Sequence, residues 1–164
     1  MEIYCMNEKG DDCNASASEA DLLSALAAVV GKQFVLNSDE MRAKHSADTI
    51  PYRKICAAVV YPSTVSEVRK ILQVAADFHA QVWPFSRGNN WGYGAKSALE
   101  DDAIIMILER MNRIIEVNEE LAYAVIEPGV SQQQLSDYLR ENNIKLWMDC
   151  TDSTPNGSVL GNAV

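Results

Sequence analysis

Apolar residues recur along the chain at two spacings, and these spacings predict where helices and strands lie. Three segments place apolar residues three or four positions apart behind a serine or threonine, which is the pattern of an amphipathic helix with an N-cap. The caps are Ser18, Thr64 and Ser131, and each is followed three positions later by Asp, Glu or Gln, as in a capping box. A more polar helix is predicted over residues 38–45.

Short runs rich in Val, Ile and aromatic residues predict the strands. The run over 57–61 is apolar throughout, as expected for a strand buried on both faces. It is followed by the helix capped at Thr64 and by a strand at 81–85, an order that indicates a βαβ unit with parallel strands. Further strands are predicted at 33–36, 104–108, 114–117, Tyr123–Ile126 and 144–148. The expected fold class is therefore α+β (α/β), with a βαβ-containing subdomain followed by the start of a second, mixed-sheet subdomain.

Composition and charge narrow the classes of function. The 164 residues carry 23 acidic and 14 basic side chains, a net charge of −9, which argues against nucleic acid or an anionic membrane as partner. No apolar run reaches the ~20 residues of a membrane-spanning helix, and the first residues lack a secretory signal pattern. The four cysteines have no C-x-x-C spacing, which favours reduced thiols, a cytoplasmic protein and no metal site.

The segment after strand 81–85 is the strongest candidate for a binding site. It reads Ser86-Arg87-Gly88-Asn89-Asn90-Trp91-Gly92-Tyr93-Gly94, and its glycines permit positive φ angles and close approach of a ligand. Successive backbone N–H groups in such a turn form an anion-binding concavity. The carboxyl end of a parallel strand is also where open α/β sheets bind ligands, and Arg87 adds a fixed positive charge. The segment matches neither a Walker loop nor the Rossmann pattern. An ordinary glycine-rich surface turn is the alternative interpretation.

Two later turns have a similar composition. Glu127-Pro128-Gly129 follows the strand Tyr123–Ile126 and leads into the helix capped by Ser131, and residues 152–162 are again small residues with exposed backbone donors. Each turn alone is typical of an ordinary connection, but together with the first loop they form a set.

The remaining chemically reactive residues give weaker signals. His45 and His79 lie in or at the end of helical stretches, where a solvated or dipole-facing imidazole is expected. Cys56 adjoins a strand and is expected to be a small buried hydrophobe. Tyr61 and Trp147 are expected at the core or its rim.

Five motifs follow one another between about residue 50 and residue 164. They are Pro-Ser-Thr-x-x-Glu-Val, the glycine-rich loop, Leu-Glu-Arg-Met-Asn-Arg-Ile, Ile-Glu-Pro-Gly-Val and Gly-Ser-x-x-Gly-Asn. Their order and spacing resemble the FAD-binding domain of the vanillyl-alcohol oxidase and p-cresol methylhydroxylase flavoproteins. The glycine-rich loop departs from that pattern because Asn89 stands at a position that is Arg in many relatives. Asn89 also stands where berberine-bridge-type relatives have a flavin-linking histidine, so no covalent flavin is expected there.

The resemblance implies FAD as the cofactor and assigns roles to both glycine-rich turns. The first would hold the pyrophosphate through Ser86, Arg87, Gly88, Asn89, Asn90, Tyr93 and Gly94. The second would flank the flavin side of FAD through Pro155, Gly157, Ser158, Gly161 and Asn162. The turn Glu127-Pro128-Gly129 is expected to shape the site rather than to contact FAD strongly.

The resemblance also implies a reaction and a domain organisation. A small alcohol or phenolic substrate would transfer a hydride to flavin N5, and oxygen or an electron-carrier protein would reoxidise the flavin. Residues 1–17 are expected to be a flexible leader, 18–50 an N-terminal helical region and 51–164 an FAD-binding domain that is incomplete at its C-terminus. Catalytic residues would lie in a substrate domain, so none is assigned. The chain of 164 residues by itself is expected to be inactive. A non-catalytic nucleotide-binding or interaction module is the alternative, and a homo-oligomer is left open.

Overall fold

The structure is a computed structural model that describes residues 18–46, 54–89, 98, 100–148 and 154–163. The helices are α1 (Glu19–Val30), α2 (Asp39–His45), α3 (Val65–Asp77), α4 (Gln132–Glu141) and α5 (Val159–Ala163). The strands are β1 (Val35–Leu36), β2 (Ala58–Val60), β3 (Val82–Phe85), β4 (Ile104–Ile107), β5 (Ile114–Asn118) and β6 (Tyr123–Ile126). The predicted leader lies outside the described residues. The predicted mixture of helices and strands is confirmed.

Strands β1–β4 form one sheet, which together with α1–α3 we call the first unit. The strand order is β1-β2-β4-β3, with β1 antiparallel and the other three strands parallel. The predicted βαβ unit is therefore present, but β4 lies between its two strands and pairs with both. Ile105 is opposite Val59 on one side and Trp83 on the other. The strand predicted at 33–36 is shorter than expected, because a 3₁₀ turn occupies Lys32–Phe34.

The core of the first unit lies on both faces of this sheet. On one face Leu26 of α1 and Ile71 of α3 pack against β2 and β4. On the other face Cys56, Val59 and Ile105 form a smaller cluster, as expected for Cys56. Each fully buried Leu or Ile contributes about 1.5–3 kcal/mol to stability. The uniform apolar pattern of β2 and β4 thus reflects burial on two sides.

The three predicted helix caps are present. The side chains of Ser18, Thr64 and Ser131 each accept a hydrogen bond from the backbone N–H three positions later. The reciprocal half of the capping box forms at Ser18. At Thr64 it does not, because the Glu67 carboxylate accepts the N–H of Ser63 at 2.6 Å instead.

Strands β5 and β6 form an antiparallel hairpin, which together with α4 and α5 we call the second unit. The predicted turn after β5 is confirmed, and within it the Asn118 side chain accepts the N–H of Leu121 at 2.8 Å. Leu135 and Leu139 of α4 pack with Val130 beneath the hairpin.

The strand predicted at 144–148 is wrong. The segment is irregular and pairs with no strand among the described residues. Ile144, Leu146 and Met148 nevertheless pack against the apolar cluster of α4. The intervening Trp147 is 80% exposed, so it does not belong to the core. The alternating pattern therefore arises from packing on one side, without the hydrogen bonds of a sheet.

Candidate functional site

A cavity of about 160 Å³ lies beyond the carboxyl ends of the parallel strands β2, β3 and β4. The described residues that line it are His45, Tyr61, Phe85, Arg87, Gly88, Asn89, Ile107 and Glu109. This end of a parallel sheet is the usual place for ligands in open α/β folds. The start of the predicted glycine-rich loop is therefore on the cavity wall.

The glycine-rich loop turns sharply directly after β3. Gly88 has a φ of +67°, which glycine adopts without the steric cost of a side chain. Turns of this kind present successive N–H groups to an anion. The positive φ supports the prediction of a loop whose backbone approaches a ligand closely.

Arg87 joins this loop to the other two turns that the sequence singled out. Its Nε donates a hydrogen bond to the carbonyl oxygen of Asn156 at 2.8 Å. Its Nη1 donates to the carbonyl oxygen of Gly129 at 2.9 Å. Three turns that are far apart in sequence thus meet at one guanidinium group, which supports the interpretation of the turns as a set.

The middle turn is held in place by close backbone packing at Gly129. Its N–H donates to the carbonyl oxygen of Met111 at 2.7 Å. A Cβ atom at this position would lie 2.3 Å from the carbonyl oxygen of Leu108 and 2.7 Å from that of Met111. Only glycine therefore fits, and the carbonyl oxygen that receives Arg87 has a fixed position.

Glu127 anchors the same turn through a buried carboxylate. It accepts hydrogen bonds from the N–H, Nε and Nη2 of Arg113 at 2.8, 2.9 and 2.7 Å. These hydrogen bonds, chiefly those of the Arg113 side chain, hold the pKa of Glu127 below its ordinary range. The Glu127 carboxylate is thus occupied within the protein, in agreement with a role in shaping the site.

The third turn folds back on the start of α4. The N–H of Gln132 donates to the carbonyl oxygen of Gly157 at 2.9 Å, and that of Gln133 donates to Pro155 at 3.1 Å. Gly157 itself donates to the carbonyl oxygen of Thr154 at 2.7 Å. Because these N–H groups of the first turn already have partners, the N-terminal end of α4 has fewer free donors for a ligand.

The remaining predicted site residues fall into four groups. Ser86 directly follows β3, is half-buried and is not among the residues that line the cavity. Those outside the described residues are Asn90, Tyr93 and Gly94. Those of the third turn are Pro155, which is exposed, and Gly157 and Ser158, which are buried. Those in α5 are Gly161 and Asn162. Contact of any of them with FAD, and the absence of a covalent link at Asn89, stay predictions.

Tyr61, His45 and Glu109 line the cavity but were not among the predicted site residues. The hydroxyl oxygen of Tyr61 lies 3.3 Å from Nε2 of His45. Burial, with a smaller contribution from the charge of Glu109, raises the pKa of Tyr61 to about 12. Tyr61 and Glu109 follow the carboxyl ends of β2 and β4. Because ligands bind at this edge of a parallel sheet, the predicted strands were enough to place both residues near the site.

His45 was expected to be solvated or to face a helix end, and it is the last residue of α2; its place on the cavity wall was not predicted. It is brought there by the docking of α2 against the segment before β2, where Arg42 Nε donates to the carbonyl oxygen of Cys56 at 2.6 Å. The Ser46 hydroxyl likewise accepts the N–H of Cys56 at 3.2 Å. No local sequence pattern signals this long-range docking.

These features are typical of an α/β domain with a ligand site at the carboxyl edge of a parallel sheet. The sequence matches the FAD binding domain family over residues 56–164, well over half of the chain. The chain therefore belongs to this family, and its cofactor is FAD.

Two curated proteins are similar to the chain. The 1'-carboxy-chondrochloren decarboxylase of Chondromyces crocatus is 39% identical over 140 residues, which are 85% of this chain and 26% of that protein. The 4-cresol dehydrogenase (hydroxylating) flavoprotein subunit of Pseudomonas putida is 29% identical over 145 residues, 82% of this chain and 28% of that subunit. The chain thus spans about a quarter of the length of these relatives.

Solved structures lead to the same family. The 4-ethylphenol oxidase of Gulosibacter chungangensis has a TM-score of 0.77 at 30% identity, covering 87% of this chain and 28% of its own. The p-cresol methylhydroxylase structure with bound substrate has a TM-score of 0.75 at 27% identity, covering 84% and 27%. The resemblance to the vanillyl-alcohol oxidase and p-cresol methylhydroxylase flavoproteins, and the fold that it implies, are therefore confirmed.

The donor set at the site fits an anionic cofactor. Arg87 supplies positive charge beside a glycine of positive φ, and the nearby carboxylate of Glu127 is paired with Arg113. The cavity is smaller than the roughly 300–1,000 Å³ of a site that encloses a whole small molecule, so it has room for one part of FAD. Within the described residues, no helix is long and apolar enough to cross a bilayer.

Proposed function

We propose that the chain forms the FAD-binding part of a flavin-dependent oxidoreductase that acts on a small alcohol or phenolic substrate. The observation that carries the proposal is the meeting of three turns at Arg87, at the carboxyl edge of the sheet, in a member of the FAD binding domain family. The names of two relatives, 4-cresol dehydrogenase and 4-ethylphenol oxidase, support a phenolic substrate.

In this proposal the residues of the chain bind and orient the cofactor. The first loop holds the pyrophosphate through its backbone N–H groups and side chains, from Ser86 to Gly94. The third turn, from Pro155 to Asn162, flanks the flavin side. Glu109 lines the cavity with a carboxylate, whose charge would disfavour a phosphate deeper in the cavity than the loop. The chemistry that bound FAD would supply is a hydride acceptor for the substrate carbon.

The proposal extends to the surroundings of the reaction. In this proposal oxygen or an electron-carrier protein is the final electron acceptor, and the protein works in the cytoplasm. Residues 1–17 form a leader, 18–50 a helical region and 51–164 the FAD-binding domain. The docking of α2 through Arg42 and His45 supports a helical region that covers part of the site.

A decarboxylase is a second candidate, favoured by the 39% identity to 1'-carboxy-chondrochloren decarboxylase. In that case the bond between the substrate and its carboxylate carbon breaks, carbon dioxide leaves, and the electron pair left on the substrate carbon takes up a proton. The FAD site described above is the same in both candidates, so the substrate decides between them.

The test is to purify the protein as its own gene encodes it and to measure retained FAD by its absorbance. Turnover is then assayed with 4-alkylphenols and 4-hydroxybenzyl alcohols plus an artificial electron acceptor, and with carboxylated phenols by release of carbon dioxide. We expect bound FAD and oxidation of a phenolic alcohol. Carbon dioxide release without oxidation would favour the decarboxylase, and bound FAD without either reaction would favour a non-catalytic module.

A separate variant tests the proposal that the first loop binds the pyrophosphate of FAD. Gly88→Val places a branched side chain at a φ of +67° and should weaken FAD binding by about tenfold or more while the protein stays folded. Val65→Ala, a change at an exposed position of α3, is the control and should bind FAD as the parent does. Equal FAD affinity of Gly88→Val and the parent would contradict the assignment.

A further inference from the structure

Arg87 is placed between the two units of the molecule. It follows β3 in the first unit, and its two hydrogen-bond acceptors, Gly129 and Asn156, belong to the turns that lead into α4 and α5. We propose that Arg87 is a positioning residue that fixes the distance between the two sides of the FAD site. This inference rests on the proposed function, because it assigns a role to Arg87 within that site.

Both acceptors are held by other contacts, so Arg87 bonds to fixed points. Gly129 is packed against the backbone of Leu108 and Met111 without room for a Cβ atom. Asn156 lies in a turn closed by the hydrogen bond from Gly157 to Thr154 and tied to α4 through Pro155. A side chain that reaches two rigid turns at once determines how far they stand from its own loop.

The guanidinium group suits this task better than other cations. Its donors are arranged in a rigid planar fork, so Nε and Nη1 can serve two acceptors in fixed directions. Both acceptors here are neutral carbonyl oxygens, and hydrogen bonds with one charged partner are stronger than neutral ones. The ammonium group of lysine has one nitrogen and would keep the charge without reproducing both directions.

Within the loop that holds the pyrophosphate in the proposed function, the alternative role for Arg87 is to act mainly through its positive charge on the phosphates. That role depends mainly on positive charge near the loop, which lysine preserves. Positioning depends on the two simultaneous hydrogen bonds, which lysine does not preserve. The two roles therefore differ in the behaviour of Arg87→Lys.

The test compares Arg87→Lys and Arg87→Ala with the parent and with Arg69→Ala, a change on the exposed side of α3. The FAD dissociation constant is measured by flavin fluorescence, and thermal unfolding checks that each variant is folded. We expect Arg87→Ala to weaken FAD binding by about tenfold to a hundredfold, with most of this loss also in Arg87→Lys. Guanidinium chloride at low concentration should restore part of the affinity of Arg87→Ala, and sodium chloride at equal ionic strength should not. Parental affinity in Arg87→Lys, or no rescue by guanidinium, would overturn the proposal.

Amide hydrogen exchange, measured on the protein without FAD, tests the positioning role of Arg87 independently of whether the protein binds FAD. Amides around Gly129 and Gly157 should exchange faster in Arg87→Ala than in the parent, because the turns lose their tie to the first unit. If the parent does not bind FAD, the proposed function is contradicted, and faster exchange would still support the tie itself. Unchanged exchange in Arg87→Ala would overturn the positioning role whatever the FAD affinity.

Discussion

The two units of the molecule are stabilised in different ways. In the first unit β2 and β4 are buried along their whole length between helices and a second apolar cluster. In the second unit the hairpin of β5 and β6 is largely exposed on one side, and the connecting turns are held by polar contacts at Arg87, Arg113 and Glu127. The cavity lies in the first unit, where apolar packing supports it, and the two hydrogen bonds of Arg87 connect its rim to the turns of the second unit.

The comparison predicts that equal changes have unequal effects in the two units. Ile105 of β4 is fully buried, whereas Ile115 of β5 is 62% exposed. Ile105→Ala should lower the free energy of unfolding by about 2–5 kcal/mol, because it leaves a cavity in the core. Ile115→Ala is the matched control and should change it by about 0.5 kcal/mol or less. Chemical denaturation of both variants measures the difference, and equal losses would contradict the distinction between the units.

Gly129 tests the junction of the units. Gly129→Ala should cost about 1–3 kcal/mol, since its Cβ atom would lie 2.3 Å from the backbone oxygen of Leu108, which accepts the N–H of Met111. Gly31→Ala is the comparison, because its Cβ atom would meet only the flexible side chain of Gln33 at 3.1 Å. It also has a positive φ and should cost about 1 kcal/mol. Thermal denaturation ranks the two, and a larger loss for Gly31→Ala would contradict the packing argument.

A substitution of Glu127 should have the smallest effect of the three on the free energy of unfolding, and this effect should depend on pH. Glu127→Gln should cost about 1 kcal/mol at neutral pH, since the carboxylate is buried but its partner Arg113 is 77% exposed to solvent. The pKa of Glu127 is lowered in the folded state, so its contribution is complete above the ordinary glutamate range and is lost as the pH falls through the folded-state pKa. The melting temperatures of parent and variant should therefore converge in acid. If the difference in melting temperature between parent and variant grew as the pH fell, the lowered pKa of Glu127 would be contradicted.

The sequence predicts best what depends on neighbouring residues or on uniform burial. The cap at Ser18 needs only Asp21, and the apolar run of β2 needs only a position inside the sheet. The turn at Glu127 and the glycine-rich loop were also identified, because glycine and proline act locally.

What the sequence could not give depends on contacts between distant segments. Apolar and polar residues alternate over 144–148 as in a strand, yet nothing within the segment indicates whether another strand pairs with it. Arg87 was interpreted as a charge for the cofactor, and its bonds to Gly129 and Asn156 join residues 42 and 69 positions away. The place of His45 similarly depends on how α2 docks. These are tertiary contacts without a local signature.

The position of β4 between β2 and β3 has a consequence for the order of folding. The middle strand of the three comes last in the chain, so β2 and β3 have unpaired facing edges until β4 is inserted. Pairing of this non-local kind is slow, because the entropy of closing the intervening chain is lost before the new hydrogen bonds form. The glycine-rich segment belongs to the connection between β3 and β4, so its length contributes to the entropy that is lost when the sheet closes. During synthesis the first unit acquires its native sheet only after Ile107 has left the ribosome.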